Sequence, residues 1–357
     1  MTSFFKSASF QKPLAEIRST ASDLWRFSFA KLGRYRPLSA DEVNTENAES
    51  VSFTGDIPIR AGDTPSQNRL VYANKRPLFE EIDNLVVTPN GHGWVGGVLF
   101  EKFSATSPGL RALMSPPRPV ETIPFAYFIQ AEHIDTFGDW VSEYLAPLSG
   151  ISKLDGPVLL PHSLAQRRYV QRDCKRLGLN VRFIQQPIKI EKARVIRQQR
   201  VIRYWSAQEV RNLRRLLNID PVMPKPGSII YLSRHGEASE VAVRKHPHEA
   251  LERIVKQHGG QVIHTRDATL EEYQSASQNA ETVIMDHGSA GYNMAYWQPK
   301  RVIEIVSDVW WMNAFLFFAK SIGVRDYVIV RSDLGDVHVQ ERLSQALDAP
   351  LDDSLAT

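Results

Sequence analysis

The sequence predicts an α/β protein built as two Rossmann-like units facing across a cleft, and three observations predict it. Short apolar strands alternate with amphipathic helices over most of the chain beyond residue 120. Three prolines within PVMPKP, Pro221 to Pro226, interrupt that alternation and mark a boundary between the two units. Each unit carries a strand that runs through a polar, glycine-containing turn into a helix, the kind of junction at which open α/β sheets bind ligands. With 357 residues and 43% hydrophobic content, the chain has enough apolar material for two cores. The organisation read from it is a basic, aromatic N-terminal segment and linker (1–50), an α/β unit over 51–220, a second over 221–335, and a tail helix over 336–357.

From the N-terminus, Met1 to Pro37 mixes aromatics with basic residues and suits an interfacial helix with Leu14, Ile17, Leu24 and Trp25 on one face, or a helix docked on the body. Ser39 to Ser50 is polar and reads as a linker. A β-rich lead-in follows, with strands at Val51–Phe53, Leu85–Val87 and Gly97–Phe100. The Pro89-Asn90-Gly91 turn joins the last two as a hairpin, leaving His92 exposed beyond it. Phe125 to Gln130 is a strand, Asp135 to Gly138 a turn with capping residues, and Trp140, Val141, Tyr144 and Leu145 recur at helical spacing. Next come a buried strand (Pro157 to Pro161), a basic helix (Ser163 to Leu177) stopped by Gly178, a strand (Val181 to Ile184), and a helix within Val195 to Leu217.

The second unit opens with Ser228 to Ser233, a strand that delivers Arg234 and His235 to its C-terminal end. Helices are expected at Pro247–His258, Leu270–Ser277, Val309–Ile322 and Leu334–Leu347, with strands at Gln261–His264, Thr282–Met285, Arg301–Val306 and Tyr327–Val330. Trp310 and Trp311 are expected to pack in the core and at its rim.

Composition narrows the function classes. The formal charge is +3, yet Ile151 to Arg215 holds sixteen Lys and Arg against four acids, so the remainder is net acidic. That asymmetry fits a solvated face, or attraction to anionic headgroups or an acidic glycan; no nucleic-acid motif accompanies it. One cysteine, Cys174, fits a reducing compartment. No window approaches the roughly 18–20 apolar residues of a membrane helix, so the expected location is cytoplasmic, at most peripheral at the inner face of the cell membrane. No Cys/His spacing suggests zinc, and no Asp-x-Asp triad, P-loop or GxGxxG is present; the sequence assigns no metal and no cofactor.

The stretch with most chemistry is Glu281 to Val306, ETVIMDHGSAGYNMAYWQPKRVIEIV. Its strand ends at Asp286 and His287, and Gly288, Ser289, Ala290 and Gly291 turn into a short helix, Tyr292 to Trp297. Unpaired N–H groups there face an anion, with His287 and Ser289 as side-chain donors. Arg301 to Val306 returns as a buried strand carrying one acid, Glu304. In the first unit, Asp139 and Glu143 lie four apart on a helix start. Read from position alone, Asp139 is a first-turn acid favoured by the helix dipole.

HGSAGYNMAYW followed by VIEI resembles the C-terminal signature of the family 61 (DUF563) glycosyltransferases, with Ser289 and Tyr292 as mild departures. Tyr231-Leu-Ser-Arg resembles that family's Tyr-Ile-Ser-Arg-Arg box, with His235 for the second Arg. The run Asp139-Trp140 with Glu143 and Pro147 resembles its N-terminal motif, with Asp139 where that motif has His. The resemblance covers about Leu78 to Val330. It implies a GT-B-type enzyme that inverts at the anomeric carbon, moving a sugar from a nucleotide-sugar donor, UDP-linked, to a glycan or lipid-linked saccharide acceptor in surface polysaccharide assembly. It further implies Asp139, with Glu143 as alternate, as base; Arg234, His287, Gly288, Ser289, Gly291 and Asn293 around the diphosphate; Glu304 at the ribose; and no metal. Two rival readings are a GT-B-like polysaccharide pyruvyltransferase and a catalytically silent scaffold at the membrane.

Overall fold

The computed structural model describes residues 78–100, 117–131, 136–149, 151, 154–197, 207–220, 222–236, 246–265, 268–307 and 314–351, with shorter strand segments before residue 78. The interfacial helix read around Leu14 to Trp25, and Trp310 and Trp311, lie outside the described residues. In chain order the strands are β1 (Tyr35–Arg36), β2 (Thr45–Ser52), β3 (Thr54–Gly55), β4 (Arg69–Lys75), β5 (Leu78–Val87), β6 (Gly93–Val95), β7 (Val98–Phe100) and β8 (Glu121–Gln130). They continue as β9 (Val158–Pro161), β10 (Val181–Ile184), β11 (Ile188–Arg197), β12 (Lys225–Ser233), β13 (Gln261–His264), β14 (Ala280–Asp286), β15 (Arg301–Val306) and β16 (Asp326–Arg331).

Eight strands form a mixed sheet in the order β1-β7-β6-β5-β11-β8-β9-β10. Strands β8 to β11 run parallel to their neighbours among themselves, whereas β5 pairs antiparallel with β11. The expected hairpin becomes two, because β6 intervenes. After β5 the Gly91 amide donates to the Thr88 carbonyl at 2.8 Å, and after β6 the pair Gly96 and Gly97, at φ +55° and +82°, makes the two-residue turn that the sheet's twist favours. His92 is buried, contrary to the exposed position expected of it, because the turn docks on the next layer: the His162 amide donates to the Pro89 carbonyl at 2.9 Å.

Strand β11 was not expected as a strand at all, yet it lies at the centre of this sheet. Its Lys and Arg residues hid it within the basic stretch, while Ile188, Ile190, Ala193, Val195 and Ile196 are buried. Neighbouring strands match some of that charge: Arg194 reaches Glu81 of β5 at 3.0 Å and the Tyr127 hydroxyl of β8 at 3.2 Å; elsewhere in the sheet Arg182 of β10 pairs across β9 with Glu121 of β8.

The second sheet is six-stranded and wholly parallel, in the order β13-β12-β14-β15-β16-β3. Strand β3, from the region assigned to the first unit, closes its far edge. The helix Asp336–Asp348 is integral to this unit rather than a tail: Val339, Leu343 and Ala346 share a core with Tyr231, Leu251, Val255, Ile284 and Ile303. Helix His248–Gln257 places Ala250, Leu251, Ile254 and Val255 inward, the i, i+3, i+4 pattern of an amphipathic helix on a sheet. A further apolar cluster is continuous between the units, joining Trp140, Tyr144 and Leu148 to Tyr292, Trp297, Phe315 and Phe318. Truncating a buried Trp or Phe of this cluster to Ala is expected to cost about 3–5 kcal/mol.

Candidate active site

The parallel sheet reverses its winding between β12 and β14: from β12 the chain moves outward to β13, then returns to the other side and continues through β14, β15 and β16. Ligands of such sheets bind in the crevice at the carboxyl ends of the two strands flanking that switch point. Here those ends are Ser233-Arg234 and Asp286-His287, the residues that the sequence singled out.

Asp286 ties the two strand ends together. It is fully buried and accepts from the Tyr231 hydroxyl at 2.8 Å and the Arg234 amide at 2.9 Å, with His248 Nδ1 3.6 Å away. Burial pushes its carboxyl above the ordinary carboxylate range, against the pull of His248, the Arg234 amide and the Tyr231 hydroxyl. The Arg234 side chain, half-buried, comes within 3.4 Å of the His287 carbonyl.

His287 and Glu304 are neighbours across β14 and β15. His287 Nδ1 lies 2.6 Å from Glu304 Oε1, and the Tyr327 hydroxyl donates to Glu304 Oε2 at 2.9 Å. His287 is 1% exposed and Glu304 0%, and burial together with Glu304 raises the Tyr327 hydroxyl well above its ordinary value. Facing a carboxylate, Nδ1 carries the proton and donates, so the ring's tautomer and plane are set from behind. Glu304, expected at a ribose, therefore stands beneath the imidazole with both oxygens engaged inside the protein.

The turn after His287 is a seven-residue 3₁₀ helix, Ser289–Ala295, displaced from the Tyr292–Trp297 helix expected. Gly291 has no room for a side chain, since a Cβ would sit 2.4 Å from the Phe315 ring. Asn293 is buried and serves the turn itself: its amide donates to the Ala290 carbonyl at 3.0 Å, and its carbonyl oxygen accepts from Gln274. Arg214, which sequence reasoning left in the basic stretch, holds the helix's far end, donating to the carbonyls of Ala295 at 3.0 Å and Trp297 at 2.6 Å and to Gln298 at 2.9 Å. Burial lowers its guanidinium to about 10. Arg172 of the first unit likewise reaches Gln274 at 3.2 Å and the Tyr296 hydroxyl at 3.2 Å. These arginines are structural ties between the units, a use of basic charge that composition alone does not reveal.

Asp139 and Glu143 are both buried, at the start of a helix that widens. Phe137–Asp139 is α-helical, Trp140–Leu145 is a π-helix and Ala146–Ser149 is α-helical again. The Ala146 amide bonds back to the Val141 carbonyl, five residues earlier, and the Ser142 hydroxyl donates to the Gly138 carbonyl at 2.6 Å. Such π segments occur often at functional sites. Asp139 takes part in a capping box: its Oδ2 accepts from the Thr136 amide at 2.8 Å, and its own amide donates to Thr136 Oγ1 at 3.2 Å. Trp140 is anchored by Asp173, whose Oδ2 accepts from Nε1 at 2.9 Å. The two motifs meet at Gly138: a Cβ there would lie 3.0 Å from the Tyr292 ring and 3.1 Å from Ser289 Oγ. A glycine at this position is what lets the helix start bearing Asp139 rest on the turn after His287.

Residues 137–303 match the family model described as Glycosyltransferase 61. The match opens at the head of the helix bearing Asp139 and closes in β15, so it contains the Asp139 motif and the turn after His287 and ends one residue before Glu304. Its coarse functional meaning is a glycosyltransferase. No curated protein matches the chain significantly. Among solved structures, one similar to it is the metal-soaked Flv1 flavodiiron core from Synechocystis sp. PCC6803, 15% identical at a TM-score of 0.23, over 75% of this chain and 64% of that one. A likeness at that score carries no argument. Among the described residues no helix is long and apolar enough to cross a membrane.

Proposed function

We propose that the chain is an inverting GT-B-type glycosyltransferase that moves a sugar from a nucleotide-sugar donor to a glycan or lipid-linked acceptor in surface polysaccharide assembly. The observation that carries this reading is the convergence, on one switch point, of Arg234, the carboxylate-backed His287 and the Ser289–Gly291 turn, with the helix start bearing Asp139 packed against that turn. In this reading Arg234, His287 and the N–H groups that head the turn hold the donor's diphosphate and carry its charge as the bond to the sugar breaks. Asp139 takes the acceptor hydroxyl's proton while that oxygen attacks the anomeric carbon from the opposite face, with Glu143 as alternate. Glu304 acts through His287, and Asn293 through the shape of the turn. The basic surface that remains after the internal ties suits an anionic membrane or a phosphate-bearing acceptor.

The test is calorimetric titration with UDP, other nucleoside diphosphates, uridine, and UDP-sugars. Arg234→Ala is expected to weaken diphosphate affinity about tenfold or more, because a charge-assisted bond to phosphate is worth about 1.5–3 kcal/mol. Uridine affinity is expected to stay within about twofold. Unchanged UDP affinity in the variant overturns the anion site, and binding of a pyruvyl donor in place of nucleotide-sugars overturns the reaction class.

A second expectation concerns cations at the reaction centre. With the diphosphate's charge met by protein groups, adding Mg²⁺ or Mn²⁺ to enzyme assayed without them is expected to change turnover by less than about twofold. Activity that appears only with one of these ions overturns that account of the leaving group.

A further inference from the structure

At the same carboxyl edge of the second sheet, one strand away from the switch point, lies a second cluster for which glycosyl transfer has no use. His235 follows the end of β12, His264 ends β13, and Glu252 stands on the helix His248–Gln257 that connects them. His264 Nε2 is 2.9 Å from Glu252 Oε1, His235 Nδ1 is 3.3 Å from the same oxygen, and the three atoms all lie within 4.8 Å of one another. From this geometry we infer that His235, Glu252 and His264 form a binding site for a zinc-class divalent transition metal.

The donor set decides the class of ion. Two imidazoles and one carboxylate suit zinc and its neighbours, whereas Mg²⁺ and Ca²⁺ take oxygen ligands almost exclusively. Bonds of about 2.0–2.1 Å in a tetrahedral arrangement put ligand atoms about 3.3 Å apart. The two contacts to Glu252 are within a few tenths of an ångström of that spacing, and the exposed His235 ring closes the third separation by a small rotation. On binding, each ring offers the metal the nitrogen that now faces Glu252.

The cluster is held in place by groups that are not themselves ligands. Ser233 Oγ lies 3.2 Å from Glu252 Oε1 and accepts from the His235 amide at 3.2 Å. The His235 ring stacks on His248 with centroids 5.0 Å apart and planes 10° from parallel, and parallel pairing sets Ser233 beside His264. Such outer partners orient a metal's ligands. Glu252 is 12% exposed while the histidine side chains are 43% and 40% exposed, so protein walls one side and solvent reaches the other. Three protein ligands and an open side leave a coordination position for water or an anionic oxygen, next to Arg234 in sequence. The site does not depend on the glycosyltransferase reading.

The experiment uses the full chain, stripped with a chelator and dialysed. Zn²⁺ is titrated by calorimetry, and Co²⁺ by the visible absorption that imidazole and carboxylate ligands confer on it; Mg²⁺ is the control. One equivalent of Zn²⁺ or Co²⁺ per chain is expected, with no measurable Mg²⁺ heat. His264→Ala and Glu252→Gln are each expected to weaken binding about 100-fold or more. His235→Ala alters the most exposed ring and is expected to keep the metal-free melting temperature while losing at least about tenfold in affinity. Less than half an equivalent bound by the wild type overturns the site. So does wild-type Co²⁺ absorption in the folded His235→Ala protein, which would place the metal elsewhere.

Discussion

Asp139→Asn is expected to lower turnover by about 10²- to 10⁴-fold while leaving donor affinity nearly unchanged. The capping box makes this substitution informative. Asparagine's carbonyl oxygen can still accept the Thr136 amide, so the helix start keeps its cap and its seat on the turn after His287. What the amide cannot do is take a proton from an acceptor hydroxyl. A large fall in turnover at an unchanged melting temperature therefore reports chemistry rather than folding. Glu143→Gln is the companion, since both acids are buried at one helix start and could share the task. Near-native turnover in both variants would return Asp139 to its simpler role as a cap, and the base would have to be sought elsewhere.

The second large effect is expected at Glu304. Glu304→Ala removes the acceptor for His287 Nδ1 and for the Tyr327 hydroxyl at a site without solvent, and leaving a buried donor unsatisfied costs about 1–3 kcal/mol for each of the two. Against a total stability of about 5–15 kcal/mol that is a large fraction. It is read as a lower urea midpoint at constant m-value. Glu304→Gln keeps the volume and an acceptor for Tyr327, so it is expected to recover more than half of the loss. It is still expected to weaken UDP binding about tenfold, because a neutral amide does not hold the imidazole as a carboxylate does. A Glu304→Ala protein that unfolds at the wild-type urea concentration would show that the buried pair contributes little. Wild-type UDP affinity in Glu304→Gln would separate Glu304 from the ligand site altogether.

Much of this architecture is legible in the chain because the signals are local. Val181–Ile184, Gln261–His264 and Arg301–Val306 are apolar runs of strand length bounded by turn residues, and the structure gives them those same limits. Leu270–Ser277 is opened by a capping box between Thr269 and Glu272, a signal written within four residues. Strand β11 was hidden for an equally local reason: its period-two pattern is carried partly by Lys and Arg, which look like a solvated face until Glu81 and Tyr127 stand beside Arg194.

The sequence by itself determined the α/β class, the two motif-bearing junctions and the polar residues that end β12 and β14, since residue period, glycine turns and prolines act over a few residues at a time. Only the tertiary structure decided which of these groups meet. The order of the parallel strands depends on long crossovers that no local pattern encodes, and that order alone puts Arg234 beside Asp286 and makes their strands the switch point. Glu304 reads as an acid available to a ligand until β15 pairs with β14 and turns it beneath His287. Residues 235, 252 and 264 have no metal-like spacing along the chain. They come together because a helix must cross back over the sheet between two adjacent parallel strands. A buried charge needs a partner, and in this protein the partner is usually supplied by a different strand or helix; for that reason its role could be read only after the chain had folded.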